Sequence, residues 1–313
     1  MKKTKKHNNV LTLIILLVLI FVLALVLNNK FFLRTKANSV QPSLSDIILF
    51  DQSKSFEPLD KNAISYVVML FNRNKAVDEY GFIDQTKLSS SRKCTGAIID
   101  KNWIITAAHC VANVDSKGNI IKDQNIAVLI GYYDLKKQRF DYSKVRFPTV
   151  YDLYPNHGFK INTILDKGIM SINDLALIRV SDLPYYPIVL AQKIDFSKPA
   201  SAIGWGAIGI DNKGNLIFSD TIKEISLTIQ KPQIITLAFN TFLGTTFSDK
   251  VIAAYVNDGY RIQPGDSGSP LIINDYLLRK SYLVGIDSSG IQFTDVTKYL
   301  KWIKDISGIT PSR

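Results

Sequence analysis

The segment that decides the fold reads Gln263-Pro264-Gly265-Asp266-Ser267-Gly268-Ser269-Pro270. One serine between two glycines, followed by a proline, predicts a tight turn. Such a turn exposes the serine side chain and leaves nearby backbone N–H groups unpaired, as a nucleophile and the oxyanion that it creates both require. The same residue types are ordinary in loops, so the turn alone indicates structure as readily as catalysis.

Two upstream motifs favour the catalytic interpretation of this turn. The first reads Ile104-Ile105-Thr106-Ala107-Ala108-His109-Cys110, and the second reads Asn173-Asp174-Leu175-Ala176-Leu177-Ile178. Histidine, aspartate and serine therefore occur in the chain order of the chymotrypsin triad. With these motifs the chain resembles the trypsin/chymotrypsin-type serine peptidases from roughly Ala63 to Ile306. Two further segments fall where that family carries similar ones, namely Gly204-Trp205-Gly206 and Leu283-Val284-Gly285-Ile286.

The resemblance implies an all-β fold of two six-stranded antiparallel β-barrels followed by a C-terminal α-helix. It also implies a serine endopeptidase that hydrolyses protein or peptide substrates through an acyl-enzyme and needs no metal or cofactor. Short apolar runs bounded by Gly, Asn, Asp or Pro independently indicate β-strands. They are Ser65–Phe71, Cys94–Ile99, Trp103–Thr106, Ile126–Ile130, Leu175–Val180, Ala200–Ile203, Glu224–Gln230, Val251–Val256, Leu271–Ile273 and Tyr282–Asp287. Apolar residues at helical spacing from Asp295 to Ile306 predict the C-terminal helix.

In this resemblance each motif supplies one catalytic role. Ser267 is the nucleophile, His109 is its general base, and Asp174 accepts the other ring N–H and fixes the tautomer. The backbone N–H groups of Gly265 and Ser267 form the oxyanion hole. The alternatives are a structural histidine at His109 and, at Asp174, an ordinary turn aspartate that precedes a strand.

Substrate preference is inferred from the same resemblance. Arg261, six residues before Ser267, falls at the floor of the family's primary specificity pocket, where trypsin-like members carry aspartate. An arginine there would repel lysine or arginine side chains and pair with acidic or polar ones; alternatively, it points to solvent. Ser288, Ser289 and Gly290 match the strip that pairs with substrate as an added strand, although they also fit an exposed strand end.

The chain departs from the family pattern in its activation sequence. In activated members the aspartate matching Asp266 pairs with a new N-terminal amine, which is released by cleavage before an Ile-Val-Gly-Gly-like sequence. No such sequence precedes Ser65. Asp266 therefore needs another partner, or the turn is ready without cleavage. Ser269, where many members carry glycine, is a smaller departure.

The two cysteines, Cys94 and Cys110, bracket the segment that leads into His109. In the family a disulfide at this place ties the histidine loop to the preceding strand. Two cysteines beside an export-type N-terminus favour that disulfide over free thiols. The bridge would stabilise the fold and fix the position of His109.

The N-terminal region predicts a membrane anchor. Residues 1–9 are a basic and polar leader, and 10–27 form an uncharged apolar run of eighteen residues, which is about the minimum for a transmembrane helix. A cleaved signal peptide would have a small-residue site closer to this run. The lysines before the run predict a cytoplasmic N-terminus and an extracytoplasmic peptidase domain. That domain would be secreted if the segment is cleaved.

The remaining regions are a tether at 28–62, the peptidase domain at 63–306 and a tail at 307–313.

The formal net charge of +11 suits an anionic surface, and no nucleic-acid-binding motif is visible. Oligomeric state is left open. The functional alternatives are a catalytically silent, membrane-tethered binding module with the same fold and, more remotely, an adhesive surface protein in which the motifs are accidental.

Overall fold

The computed structural model describes residues 65–164, 168–183, 186–212, 214–230, 250–255, 263–275, 280–289 and 292–311. The predicted leader, membrane span and tether lie outside these residues. Within the described part, no helix is long and apolar enough to cross a membrane.

Strands dominate the described chain. In chain order they are β1 (Val67–Asn72), β2 (Arg92–Asp100), β3 (Trp103–Thr106), β4 (Ala112–Val114), β5 (Ile120–Lys122), β6 (Ile126–Ile130), β7 (Val145–Arg146), β8 (Leu153–Pro155), β9 (Lys160–Ile164), β10 (Gly168–Ile172), β11 (Ala176–Arg179), β12 (Val189–Leu190), β13 (Ala200–Gly204), β14 (Ala207–Ile210), β15 (Leu216–Phe218), β16 (Lys223–Gln230), β17 (Val251–Tyr255), β18 (Pro270–Asp275), β19 (Lys280–Ser289) and β20 (Gln292–Asp295). The α-helices are α1 (Arg73–Ala76), α2 (Gln85–Ser91), α3 (Ala108–Val111) and α4 (Leu300–Ser307), and 3₁₀ turns occur at Tyr142–Lys144, Val150–Asp152 and Val296–Tyr299.

The second half of the fold is a closed barrel. Its strands follow the order β12-β19-β18-β13-β16-β17-β20, and β19 also pairs with β20. That extra pairing joins the two ends of a six-stranded ring. The expected second barrel is therefore present, and closure removes the exposed sheet edges that an open arrangement would leave.

The first half departs from the expected closed six-stranded barrel. Its seven strands run β7-β6-β1-β2-β3-β11-β8, and the pairings between described strands stop at β7 and β8, which makes a half-barrel. These outer strands have only two and three residues. Ladders of that length supply few hydrogen bonds, so the sheet ends there instead of closing on itself.

The segment that follows β1 explains why this strand is buried on both faces. Val68 and Leu70 point into the core shared with β3 and α4, whereas Met69 and Phe71 pack on the other face against Leu88 of α2. The pattern is that of a strand covered on both sides. Helices α1 and α2, which the sequence analysis did not predict, provide the cover.

The C-terminal helix is confirmed, although its first turn is a 3₁₀ turn. The Asp295 side chain caps this turn by accepting from the N–H of Thr297, and Gly308 ends α4 in the left-handed conformation. Val296 and Ile303 are fully buried in the core that includes the first sheet. The helix therefore packs the C-terminal end of the chain, which follows the second barrel, against the first sheet.

All ten predicted strands have counterparts whose ends agree within two residues. The strands that were missed are mostly hairpins of two to five residues, such as β4 with β5 and β14 with β15. These segments bury few apolar side chains, so their sequences carry little of the apolar patterning on which strand prediction rests.

The predicted disulfide is confirmed. Cys94 in β2 and Cys110 in α3 are bonded, with their Cα atoms 5.9 Å apart and a sequence separation of 16. Both cysteines are buried. The bridge holds the histidine-bearing helix against the strand that contacts the serine turn.

Replacing both cysteines with alanine should lower the free energy of unfolding by about 3 kcal/mol, because the bridge restricts a loop of this length in the unfolded chain. Guanidinium unfolding of the full chain would measure the change. As a control, reduction of the wild type should bring its unfolding midpoint to that of the variant. A loss below about 1 kcal/mol would contradict this stabilising role.

Candidate active site

The first half of the site is a contact between His109 and Asp174. Helix α3 begins immediately after β3 and presents His109, whose Nδ1 lies 2.7 Å from Oδ2 of Asp174. The backbone N–H of His109 donates to the other carboxylate oxygen, Oδ1, at 2.9 Å. Asp174 is fully buried, whereas the His109 side chain is 27% exposed. The pair therefore has a shielded acidic end and an accessible basic end.

The loop before β11 positions Asp174. Asn173 adopts a left-handed conformation with φ of 51°, which asparagine tolerates better than most residues. Its side chain donates to the Gly158 carbonyl and accepts from the Tyr299 hydroxyl. Thr294 in β20 donates to the Asp174 carbonyl at 2.9 Å, so both halves of the fold hold the aspartate.

The surroundings of Asp174 keep it ionised. Burial acts to raise the pKa of this carboxyl, but attraction from His109 and hydrogen bonds from the His109 ring, the Ser288 hydroxyl and the His109 N–H outweigh burial and hold the pKa below its usual range. An ionised carboxylate can only accept hydrogen bonds, so Nδ1 of His109 carries the proton in this contact. This contact does not engage the other ring nitrogen, Nε2.

The second half of the site is the turn that bears Ser267. The Thr95 N–H in β2 donates to the Ser267 carbonyl at 2.8 Å, and the Gly268 N–H donates to the Asp287 carbonyl at 2.8 Å. Sγ of Cys110 lies 3.6 Å from the Ser267 carbonyl oxygen and 3.8 Å from Nε2 of His109. The structure therefore brings the three predicted catalytic residues together around one disulfide.

The backbone of this turn leaves two N–H groups available. Between Gly265 and Ser269, the N–H groups of Asp266, Gly268 and Ser269 donate to described carbonyl oxygens. No acceptor is described for the N–H groups of Gly265 and Ser267. Gly265 has φ of +93°, a conformation that suits glycine. The predicted oxyanion-hole donors are thus the two that the turn itself does not use.

Beneath the turn, Asp266 is buried against the Gly204-Trp205-Gly206 segment. Its Oδ1 accepts from the Gly206 N–H at 2.6 Å, and its Oδ2 accepts from the Gln263 N–H at 3.2 Å. A Cβ atom at either Gly204 or Gly206 would collide with this carboxylate. Burial raises the pKa of Asp266, and Lys223 and the N–H donors oppose that rise.

A third buried carboxyl, Asp287, lies close enough to Asp174 and Asp266 to be affected by their charges. Burial raises its pKa well above the usual range, and the charges of Asp266 and Asp174 raise it further. Its Oδ1 has no hydrogen-bond partner among the described residues. A proton on Asp287 would reduce the repulsion among these three neighbouring carboxyl groups.

The predicted substrate-binding residues are only partly described. Arg261 and Gly290 lie outside the described residues. Ser288 is buried, and its hydroxyl donates to Oδ2 of Asp174 at 2.6 Å, which adds a support for the aspartate that the sequence analysis did not predict. Ser289 is exposed at the end of β19.

Three further residues near the turn are not indicated by the sequence motifs, namely Thr95, Lys223 and Asp287. Each lies in a strand where only its three-dimensional neighbours distinguish it. Lys223 is the first residue of β16, where polar and apolar residues alternate, so no local pattern marks this lysine as buried.

The sequence is similar to one family model and to several known proteins. The family model described as Trypsin matches residues 72–303. The chain is 25% identical over 229 residues to the proclotting enzyme of Tachypleus tridentatus, 26% identical over 241 residues to glandular kallikrein of Sus scrofa and 26% identical over 233 residues to granzyme B of Rattus norvegicus. Each match covers 69% of this chain, and they cover 58%, 86% and 80% of those relatives, respectively.

Substituting Gly268 with alanine should disrupt the turn. Gly268 has φ of +82°, and a Cβ atom there would collide with the Thr95 carbonyl and the Thr106 hydroxyl. The expected loss of unfolding free energy is about 1–2 kcal/mol for the left-handed conformation and about 1–3 kcal/mol more for the clash. Urea unfolding of the full chain would measure it.

Gly308→Ala is the matched control for this experiment. Gly308 has a similar φ of +77° but nothing within 4 Å of an added Cβ. The control should show the conformational cost alone. Equal losses in the two variants would contradict a close approach of the turn to β2.

Proposed function

The chain belongs to the trypsin family of serine-type endopeptidases, and from that premise we propose that it cleaves peptide bonds with Ser267, His109 and Asp174. The observation that carries this proposal is the contact between Nδ1 of His109 and Oδ2 of Asp174 at 2.7 Å, next to the turn that bears Ser267. The contact does not involve the second ring nitrogen, Nε2, and the His109 side chain is 27% exposed.

The proposed reaction begins when the Ser267 hydroxyl attacks the scissile carbonyl carbon. His109 takes the hydroxyl proton at Nε2, and Asp174 stabilises the resulting imidazolium. The tetrahedral oxyanion accepts hydrogen bonds from the N–H groups of Gly265 and Ser267. Collapse of this intermediate breaks the C–N bond, and the leaving amine takes the proton from His109.

The second half of the reaction releases the acyl group. A water molecule loses a proton to His109 and attacks the ester carbon of the acyl-enzyme. Collapse of the second tetrahedral intermediate returns the proton to Ser267 and frees the new carboxyl terminus. Every proton transfer uses one histidine, which is why its orientation by Asp174 matters.

We further propose that substrate binds as an extended strand beside Ser288, Ser289 and Gly290. Support comes from the sheet topology, because pairing of β19 with β18 ends at Ile286 and Asp287 then exchanges backbone hydrogen bonds with Gly268 and Ser269. Beyond that point β19 is paired on its other side with β20. A peptide could therefore add to the unpaired side through backbone hydrogen bonds.

For the side chain that precedes the cleaved bond, we propose acidic or polar residues. The support is Arg261 at the position of the pocket floor, since a guanidinium attracts carboxylates and repels other cations. Only two residues, Gly290 and Ile291, connect β19 to β20. The loop available on that side of the pocket is therefore short.

The proposed location is outside the cytoplasm, with the apolar segment at 10–27 anchoring the chain in a membrane, or secretion if that segment is cleaved. The disulfide supports an oxidising compartment. Protein or peptide substrates follow from the family, whereas the membrane partner and the absence of a nucleic-acid partner are proposals.

Fluorophosphonate labelling of the purified full chain would test the triad. Wild type should be labelled, whereas Ser267→Ala should not react and His109→Ala should react at least ~1000-fold more slowly, because both remove part of one nucleophilic unit. His157→Ala is the matched control, because His157 is exposed on a surface turn. A folded wild type that never reacts would favour the silent binding module instead.

A peptide panel that differs only at the residue before the cleaved bond would test the specificity. We expect kcat/KM to be highest for glutamate, aspartate or polar residues, and Arg261→Asp to shift the preference towards lysine and arginine. Rapid cleavage after lysine or arginine by the wild type would contradict the assignment of Arg261 to the pocket.

A further inference from the structure

A buried lysine lies directly beneath the serine turn. Lys223 begins β16 and pairs with Gly204 of β13. Its side chain is only 4% exposed, and its Nζ lies 3.9 Å from Oδ2 of Asp266. The same Nζ donates to the Ala207 carbonyl at 3.0 Å. Neither residue has a role in the proton transfers described above.

Described neighbours surround the buried pair of Lys223 and Asp266. Asp266 accepts from the N–H groups of Gly206 and Gln263, and the Ala207 N–H donates to the Pro264 carbonyl at 2.9 Å. Gly206 and Ala207 therefore contact the serine turn at two places, the Asp266 carboxylate and the Pro264 carbonyl.

A second buried cation, Arg92, is already engaged elsewhere. Its guanidinium donates to the Trp205 carbonyl and to the Ser89 hydroxyl at 3.3 Å, and it stacks over the rings of Trp205 and Phe218 at 5.5 and 5.0 Å. Arg92 adds to the positive potential around Asp266. Among the described residues, however, Lys223 is the cation that forms an ion pair with it.

Charge balance explains why this contact matters. Burial lowers the pKa of Lys223 and raises that of Asp266, and each residue's charge opposes the shift in the other. If one partner were removed, a buried charge would remain unpaired, which is strongly unfavourable. The carboxylate would then be driven to rotate towards water.

Rotation of Asp266 would change the groups on either side of it. Its backbone lies between Gly265 and Ser267, whose N–H groups are the free donors of the turn, and its carbonyl accepts from the Ser269 N–H at 2.7 Å. Moving this residue would turn those peptide planes. The orientation of the oxyanion donors therefore depends on where the Asp266 carboxylate is held.

We propose that Lys223 is a positioning residue that holds Asp266 and the serine turn in their working conformation in the uncleaved chain. The ammonium group takes the place of a newly released N-terminal amine, so no proteolytic activation is required. The inference rests on the proposed function. It also accounts for a chain with no Ile-Val-Gly-Gly-like sequence before Ser65.

The test uses the full chain, with the absence of cleavage verified by intact mass. Fluorophosphonate reaction rates over a range of reagent concentrations give a maximal rate and a half-saturating concentration. Lys223→Met should lower the maximal rate about 100-fold or more, as loss of an oxyanion donor does, and leave the half-saturating concentration within about threefold. Because loss of a buried partner is expected to lower stability, the rates are measured well below the unfolding midpoint of the variant, where a circular dichroism spectrum like that of the wild type would separate this effect from unfolding.

A double-mutant cycle identifies the partner. Asp266→Asn should slow the reaction to a similar extent, and adding Lys223→Met to it should change the rate by less than about threefold, because the two substitutions remove one interaction. Lys136→Met is the matched control, since Lys136 is 80% exposed and pairs with Asp220 at 2.6 Å. It should react like the wild type.

The outcomes separate this inference from the proposed function. An uncleaved Lys223→Met that reacts at the wild-type rate overturns the inference alone, as does a wild type that reacts only after limited proteolysis before residue 65. A wild type that is unreactive in both forms overturns the proposed function as well.

If Lys223→Met does not fold, Lys223→Arg replaces it. Reaction of the arginine variant within about tenfold of wild type supports the need for a positive charge. A folded, unreactive arginine variant overturns the inference.

Discussion

The hydrogen bond from the Thr95 N–H to the Ser267 carbonyl, at 2.8 Å, joins the two halves of the fold where the chemistry requires it. His109 belongs to the half-barrel and Ser267 to the closed barrel, so their relative position depends on this junction. The Cys94–Cys110 disulfide begins one residue from Thr95 and ends one residue from His109. A single strand, β2, is thus linked to both His109 and Ser267.

The site contains three buried carboxyl groups, and each of them has a different environment. Asp174 is stabilised as an anion by His109 and several donors. Asp266 has a lysine and two backbone N–H groups around it. Asp287 lacks comparable compensation among the described residues, and burial raises its pKa well above the usual range. Three neighbouring anions would repel strongly in a medium of low dielectric, so unequal environments make their coexistence possible.

Much of the fold could be predicted from the sequence, because long buried strands carry strong patterns. The apolar runs at β3 and β6 gave their bounds without error, and the spacing of Val296, Tyr299 and Ile303 indicated the C-terminal helix. Short hairpins such as β4 with β5 escaped prediction, because backbone hydrogen bonding more than apolar burial defines them. Closure of only one barrel also depends on strand pairings that no local pattern encodes.

The sequence by itself determined the family resemblance, the candidate triad and the cysteine pair, because each is recognised from short local motifs and from the order of those motifs along the chain. Only the tertiary structure decided the support of Asp174 by Ser288, the enclosure of Asp266 by Gly204 and Gly206, and the approach of Lys223. These contacts join residues far apart in sequence. Their energies arise from burial and from the loss of water around charged groups, which is a property of the packed molecule and not of any single segment.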